Sequence, residues 1–163
     1  MSAVIVETNV IAVANQMTEQ AGPDCIIACL DALATARKSI VAVDAGGLCF
    51  EEYFRYANRS GQPGAGDAFV RWLWENHCHP NCERVQITSK SGSANDFEEF
   101  PDDPDLSDFD PSDRKFVAIA KASSHNPTIL NASDTDWWHH RKPLEKNGIK
   151  INFLCPELMK ARK

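Results

Sequence analysis

The sequence contains no apolar run approaching the ~18–20 residues that cross a bilayer. Its N-terminus lacks a basic region followed by a long apolar stretch. These absences set the expectation of a cytoplasmic chain with no membrane partner. No internal repeat or low-complexity segment is present, and 163 residues suit one domain with a single core. There is no excess of basic charge. The net charge of −6 argues against broad, purely electrostatic binding to nucleic acid. It leaves room for an enzyme whose acids hold cations, because a bound metal inverts the local field. A phosphate-binding glycine loop is also missing. "GQPGAG" (Gly61–Gly66) fits neither the dinucleotide fingerprint nor GxxxxGK[ST], and reads as a flexible connector.

What is present is ordinary in bulk and uneven in detail. The chain is 43% hydrophobic and 25% charged, as expected of a globular protein. Six cysteines (Cys25, Cys29, Cys49, Cys78, Cys82, Cys155) are scattered, several inside apolar segments. That pattern suggests buried free thiols in a reducing compartment rather than a disulfide framework. Between Asp96 and Asp113 there are nine acids and no Lys or Arg. An acidic run of this kind reads as a solvated loop, irregular over about residues 91–110. Basic residues gather beyond Trp138, and residues 157–163 read as a basic tail after a single domain spanning 1–156.

Strand and helix patterns alternate. Ala3–Glu7 and Ser39–Val43 are apolar strand runs, the second ending at Asp44. A helix is expected over Asn9–Glu19, with Val10, Val13 and Met17 at helical spacing. Pro23 opens another to about Lys38, with Ile26, Ile27, Leu30, Leu33 and Ala34 on one face. Helices follow at Cys49–Tyr56 and Asp67–Asn76, then a short strand near Val85–Thr88. "DPSDRKFVAIAKASS" carries a cap and a first-turn Pro, and is a helix to about Ser124. "TILNASD" is a strand. "DWWHHRKPLEKNG" is a helix stopped by Gly148, with Pro143 as an interruption, and Ile149–Leu154 is the last strand. The class is α/β with a mainly parallel sheet flanked by helices in three layers.

Acids recur where strands end. Glu7 follows the first strand, Glu51 and Glu52 follow the second, Asp110 and Asp113 open a helix, and Asp134 and Asp136 follow "TILNA". In a parallel sheet such positions converge at the carboxyl edge. A carboxylate that merely caps the next helix is the simpler alternative for each one alone. Four carboxylates in one cleft raise each other's pKa unless a cation neutralises them, and oxygen ligands select Mg2+ or Mn2+. Such a cluster suits phosphodiester hydrolysis, in which two metals ~4 Å apart orient water and stabilise the leaving oxygen.

In these motifs, "ETN" (Glu7, Thr8, Asn9), "EEY" (Glu52, with Glu51 beside it), "DRKFVAIA" (Asp113) and "NASDTDW" (Asp134, Asp136), the chain resembles the PIN-domain nucleases. The order is right, and the likeness runs from Val4 to about Leu154. It implies a PIN-like three-layer sandwich and an endoribonuclease using Mg2+ or Mn2+. Glu7, Glu52, Asp113 and Asp134 or Asp136 would hold metal, with Thr8 and Asn9 orienting Glu7 or a metal-bound water. Arg114, Lys115 and Arg141 would contact RNA. It also implies a toxin or defence effector held by an antitoxin or regulatory protein, and a homodimer. A non-cleaving relative that binds RNA or a protein is the alternative. The family usually carries Asp where this chain has Glu7. The extra methylene shifts a bound ion by roughly an ångström, or requires the backbone to adjust.

Other features have plainer explanations. "HCHPNC" (His77–Cys82) offers zinc-ligand types from one short stretch, whereas structural zinc sites draw on two knuckles, so a helix end is expected. In "DWWHH", one of Trp137 and Trp138 is expected to pack in the core, and His139 and His140 to lie near the surface.

Overall fold

The computed structural model describes residues 2–93 and 95–160. Five strands form one all-parallel sheet: β1 (Ala3–Val6), β2 (Ile40–Asp44), β3 (Cys82–Val85), β4 (Thr128–Asn131) and β5 (Lys150–Phe153). Their spatial order is β3-β2-β1-β4-β5. The central strands are nearly wholly apolar because both faces of a parallel sheet are covered. Ile5, Val6, Val41, Ala42, Val43 and Ile129 are all buried. Register is continuous across the middle, with Val6 opposite Leu130 and Val4 opposite Val41. Helices flank the sheet as a three-layer α/β sandwich.

The chain builds β1, β2 and β3 outward in one direction and then returns to the other side of β1 for β4 and β5. The strand order therefore reverses between β1 and β4. In open parallel sheets, the crevice beyond the carboxyl ends at such a reversal is where ligands bind.

Among the described residues, eight α-helices connect and cover the strands: α1 (Thr8–Ala14), α2 (Pro23–Ala36), α3 (Leu48–Tyr56), α4 (Ala65–Glu75), α5 (Arg114–Ala122), α6 (Thr135–His139), α7 (Arg141–Lys146) and α8 (Pro156–Lys160). None is long and apolar enough to cross a membrane. Helix α1 is shorter than its apolar spacing suggests. Gln16 turns left-handed (φ 58°), and Met17 is 55% exposed. Helix α2 buries Cys25, Cys29, Leu33 and Ala36, while Ile27 and Leu30 face out, so the buried stripe is one position away from the expected one. Pro143 lies in the first turn of α7, where no intrahelical N–H is lost, and the break falls at His140 instead. Strand β3 ends at Val85, earlier than its pattern suggests. The tail begins as α8 with Met159 buried, and residues 161–163 lie outside the described residues.

Three sequence expectations need correction. Cys25 and Cys155 are joined by a disulfide, bringing the first turn of α2 to the residue after β5. The other four cysteines are free, and Cys29, Cys49 and Cys82 are buried. The fold, not the spacing, brings this pair together across 130 residues, with Cα atoms 5.3 Å apart. The "GQPGAG" connector ends in a packed joint. A Cβ on Gly66 would lie 2.5 Å from the Ile11 carbonyl oxygen, so α4 approaches α1 more closely than any side chain permits. The acidic run is not simply solvated. Phe97, Phe100, Leu106 and Phe109 are buried, while Glu98, Asp102, Asp105 and Asp108 between them are exposed.

Candidate metal centre

Glu7, Asp113 and Asp134 meet at the β1/β4 crevice. One carboxylate oxygen from each lies within 4.8 Å of the others. Two oxygens on opposite sides of a single Mg2+ are about 4.2 Å apart, so closure on an ion needs only a small adjustment. Every donor is a carboxylate, with no thiol or imidazole in the group, which favours a hard cation.

Each acid is placed by the end of an element. Glu7 follows β1 and caps α1, its Oε2 accepting the Asn9 N–H at 2.9 Å. Asp113 closes a 3-10 turn (Pro111–Asp113) and starts α5. Asp134 follows β4 and caps α6, its Oδ1 accepting the Asp136 N–H at 2.9 Å. Helix capping and site formation are not alternatives here. Glu7 and Asp134 each give one oxygen to a backbone N–H and keep lone pairs for the cleft.

Their electrostatics are unfavourable without a cation. Glu7 and Asp113 are almost fully buried. Burial first, then the facing Asp113 charge, holds the Glu7 carboxyl well above its usual range, with Asp134 and Glu52 adding to the effect. Burial and the charges of Asp134, Asp110 and Glu52 push Asp113 up to about 7, partly offset by Lys115. Burial also raises Asp134, against the lowering by its N–H partners. Lys115 offsets only part of the cost at Asp113, and among the described residues no basic side chain is ion-paired with any of the three.

Glu52 lines the same cleft but is held differently. Its Oε1 accepts from Lys115 Nζ at 2.7 Å, and its Oε2 from the Thr8 hydroxyl. Glu51 points away, exposed beside Arg55 at 3.5 Å, so Glu52 is the member of the pair that faces in. Tyr53 anchors this turn of α3, its hydroxyl donating to the Val6 carbonyl at 2.6 Å, at the end of β1. Asp136 stands apart from the triad. Its Oδ2 accepts the Asp110 N–H at 2.9 Å and its Oδ1 lies 3.3 Å from His140 Nδ1, which fixes the turn that carries Asp110 into the cleft.

Asn9 orients Glu7 through its backbone, while its side chain joins the two strand ends. Its Nδ2 donates to Asn131 Oδ1 at 3.2 Å, and its Oδ1 accepts the Ala132 N–H at 3.0 Å. Thr8 binds Glu52 rather than Glu7. The predicted RNA contacts are redistributed. Arg114 is tied down by Asp96, Ser107 and Phe109 and lies over Phe100, so it anchors the acidic loop. Lys115 is buried against Glu52 and the Ser112 carbonyl. Charge alone does not say whether a lysine is buried. Arg141 stacks 4.0 Å over Trp138 and is half-buried. Trp137 is in the core, edge-on to Phe109. "HCHPNC" forms the end of α4 and a turn, with His77 on the Trp74 carbonyl.

Sequence reasoning missed Tyr53, Tyr56 and the Lys115–Glu52 pair. Tyr56 stands one turn beyond Glu52 and lines the acid cleft. An i, i+4 relation to Glu52 was the available signal. The chain matches no family model, no curated protein and no solved structure.

Proposed function

We propose that the chain is a metal-dependent nuclease, an endoribonuclease of PIN-like type. One observation carries this reading: three carboxylates, none paired with a basic side chain, converge at the strand-order reversal. Buried acids that repel each other are kept in a fold where they do work that a neutral packing cannot. Glu7, Asp113 and Asp134 would hold Mg2+ or Mn2+. When bound, such an ion supplies charge neutralisation and Lewis acidity for attack of water on a phosphodiester.

The chain's own groups then have distinct tasks. The Asn9 N–H and the Asp136 N–H fix one oxygen each of Glu7 and Asp134, and both residues line the cleft. Glu52, held by Thr8 and Lys115, presents a carboxylate beside the triad that can accept a proton from water. Tyr56, 43% exposed at the rim, offers an aromatic face to a base of a single strand. Arg141 is the half-exposed cation nearest Trp138 for a phosphate contact. An RNA strand is the proposed substrate, and an antitoxin or regulatory protein and a second copy of the chain are proposed partners.

The test is Mn2+ calorimetry followed by cleavage of single-stranded RNA and DNA. Wild type is expected to bind Mn2+ and cut RNA, and Asp113→Ala to do neither. Binding with no cleavage of either polymer moves the chain to a non-cleaving domain. Hydrolysis of small phosphate esters with RNA spared moves it to a phosphatase.

A further inference from the structure

Lys115 is the one basic side chain among the described residues that reaches into the acid cluster, and it is 8% exposed. Its ammonium lies 2.7 Å from Glu52 Oε1 and donates to the Ser112 carbonyl, while the Thr8 hydroxyl takes the other Glu52 oxygen. Glu52 itself is not within the three-oxygen group of Glu7, Asp113 and Asp134. The fourth acid of the cleft thus already has an ion pair, and among the described residues the other three have none.

We infer that Lys115 is the second cation of this centre: the chain takes one divalent ion, on Glu7, Asp113 and Asp134, and the Lys115 ammonium stands beside Glu52 where a second ion would otherwise be needed. The inference rests on the function proposed above and departs from the two-ion arrangement that four acids suggest. A second ion on Glu52 would have to displace Lys115 and leave a buried ammonium without its carboxylate, a costly state. Both walls of the arrangement are fixed. Lys115 rises from the first turn of α5, two residues after Asp113, and Glu52 is pinned by Thr8 from the first turn of α1. Lys115 and Glu52 also face a neighbouring cavity of about 420 Å³, lined by Leu48, Arg55, Phe97 and Pro111. Glu52 lines both the acid cleft and this cavity, and Lys115 holds it from the cavity side.

Lys115 is a positioning residue in this scheme, and its electrostatic role can be separated from a purely structural one. Mn2+ titration of the wild type is expected to give one ion per chain, and the bound Mn2+ to show the electron-paramagnetic spectrum of an isolated ion at saturation. Lys115→Met removes a positive charge beside the site. It is expected to tighten Mn2+ binding by about tenfold or to open a second ion site that Glu52→Gln abolishes. Lys115→Arg is expected to keep one ion with affinity within about threefold. A lysine that only held the fold would give weaker binding on substitution. Two coupled ions in the wild type, or Lys115→Met binding one ion with unchanged or weaker affinity, overturn the inference while leaving the nuclease reading in place. No Mn2+ binding by the wild type at millimolar metal overturns the nuclease reading, and this inference with it. The wild-type spectrum decides the ion count even if Lys115→Met does not fold.

Discussion

Two sets of buried acids in this molecule differ in one respect. Asp44 and Asp67 are enclosed by donors. Asp44 accepts the N–H groups of Leu48 and Cys49, both at 2.8 Å. Asp67 accepts the N–H groups of Asn58 and Gly64 and the Asn15 amide, tying the ends of α1 and α3 to the start of α4. Glu7 and Asp113 are as deep and Asp134 is half-buried, yet the three face each other. A buried carboxylate surrounded by N–H groups is a structural clamp. Carboxylates that face one another are relieved either by holding protons or by a cation.

The sharpest way to break this comparison is to swap consequences. Asp67→Ala strands three donors and is expected to cost about 3 kcal/mol in urea unfolding, with Mn2+ affinity of the remaining folded chain unchanged. Asp113→Asn is expected to do the reverse. Calorimetry should show Mn2+ affinity falling by about 100-fold or more. Its effect on the metal-free fold follows from the shift of Asp113 from an ordinary 3.8 to about 7. The raised value means that the folded chain binds this proton more tightly than the unfolded chain. That contribution to stability is complete below about 4 and is lost as pH rises through about 7. Without metal, Asp113→Asn should therefore raise stability by up to about 4 kcal/mol at pH 8 and by little at pH 4, read from urea unfolding at both pH values. A loss of stability at pH 8 would place Asp113 among the clamps. The smallest effect is expected at Glu51. Its pair with Arg55 is solvent-exposed, so Glu51→Gln should leave melting temperature and Mn2+ affinity unchanged within error, unlike Glu52→Gln.

The sequence exposed the acids of this centre better than their surroundings. Glu7, Asp113 and Asp134 each follow a strand or open a helix, and a parallel sheet brings such ends to one edge. Which edge positions become neighbours depends on strand order, and nothing local encodes the reversal between β1 and β4. The choice of Glu52 over Glu51 needed the rotation of α3, fixed by Tyr53 against β1. Asp136 shares a motif with Asp134 yet turns toward His140, because the first residues of α6 point in different directions. Arg114 and Lys115 look alike in a sequence, and only the fold shows that one anchors a loop and the other is buried in the cleft. The phenylalanines of the acidic loop were hidden by the charges around them. The buried stripe of α2 was misplaced because Cys25 and Cys29, not the larger Ile27 and Leu30, lie against the core.

The Cys25–Cys155 link has a consequence of connectivity. It closes residues 25–155 into a covalent ring, from which the N-terminal segment carrying β1 and Glu7 extends as a free arm threaded to the centre of the sheet. A protease that nicks the exposed residues Ser91–Ser93 would open the ring without releasing either half. The cut chain would migrate as one species until a reductant separates a fragment bearing Glu7 and Glu52 from one bearing Asp113 and Asp134.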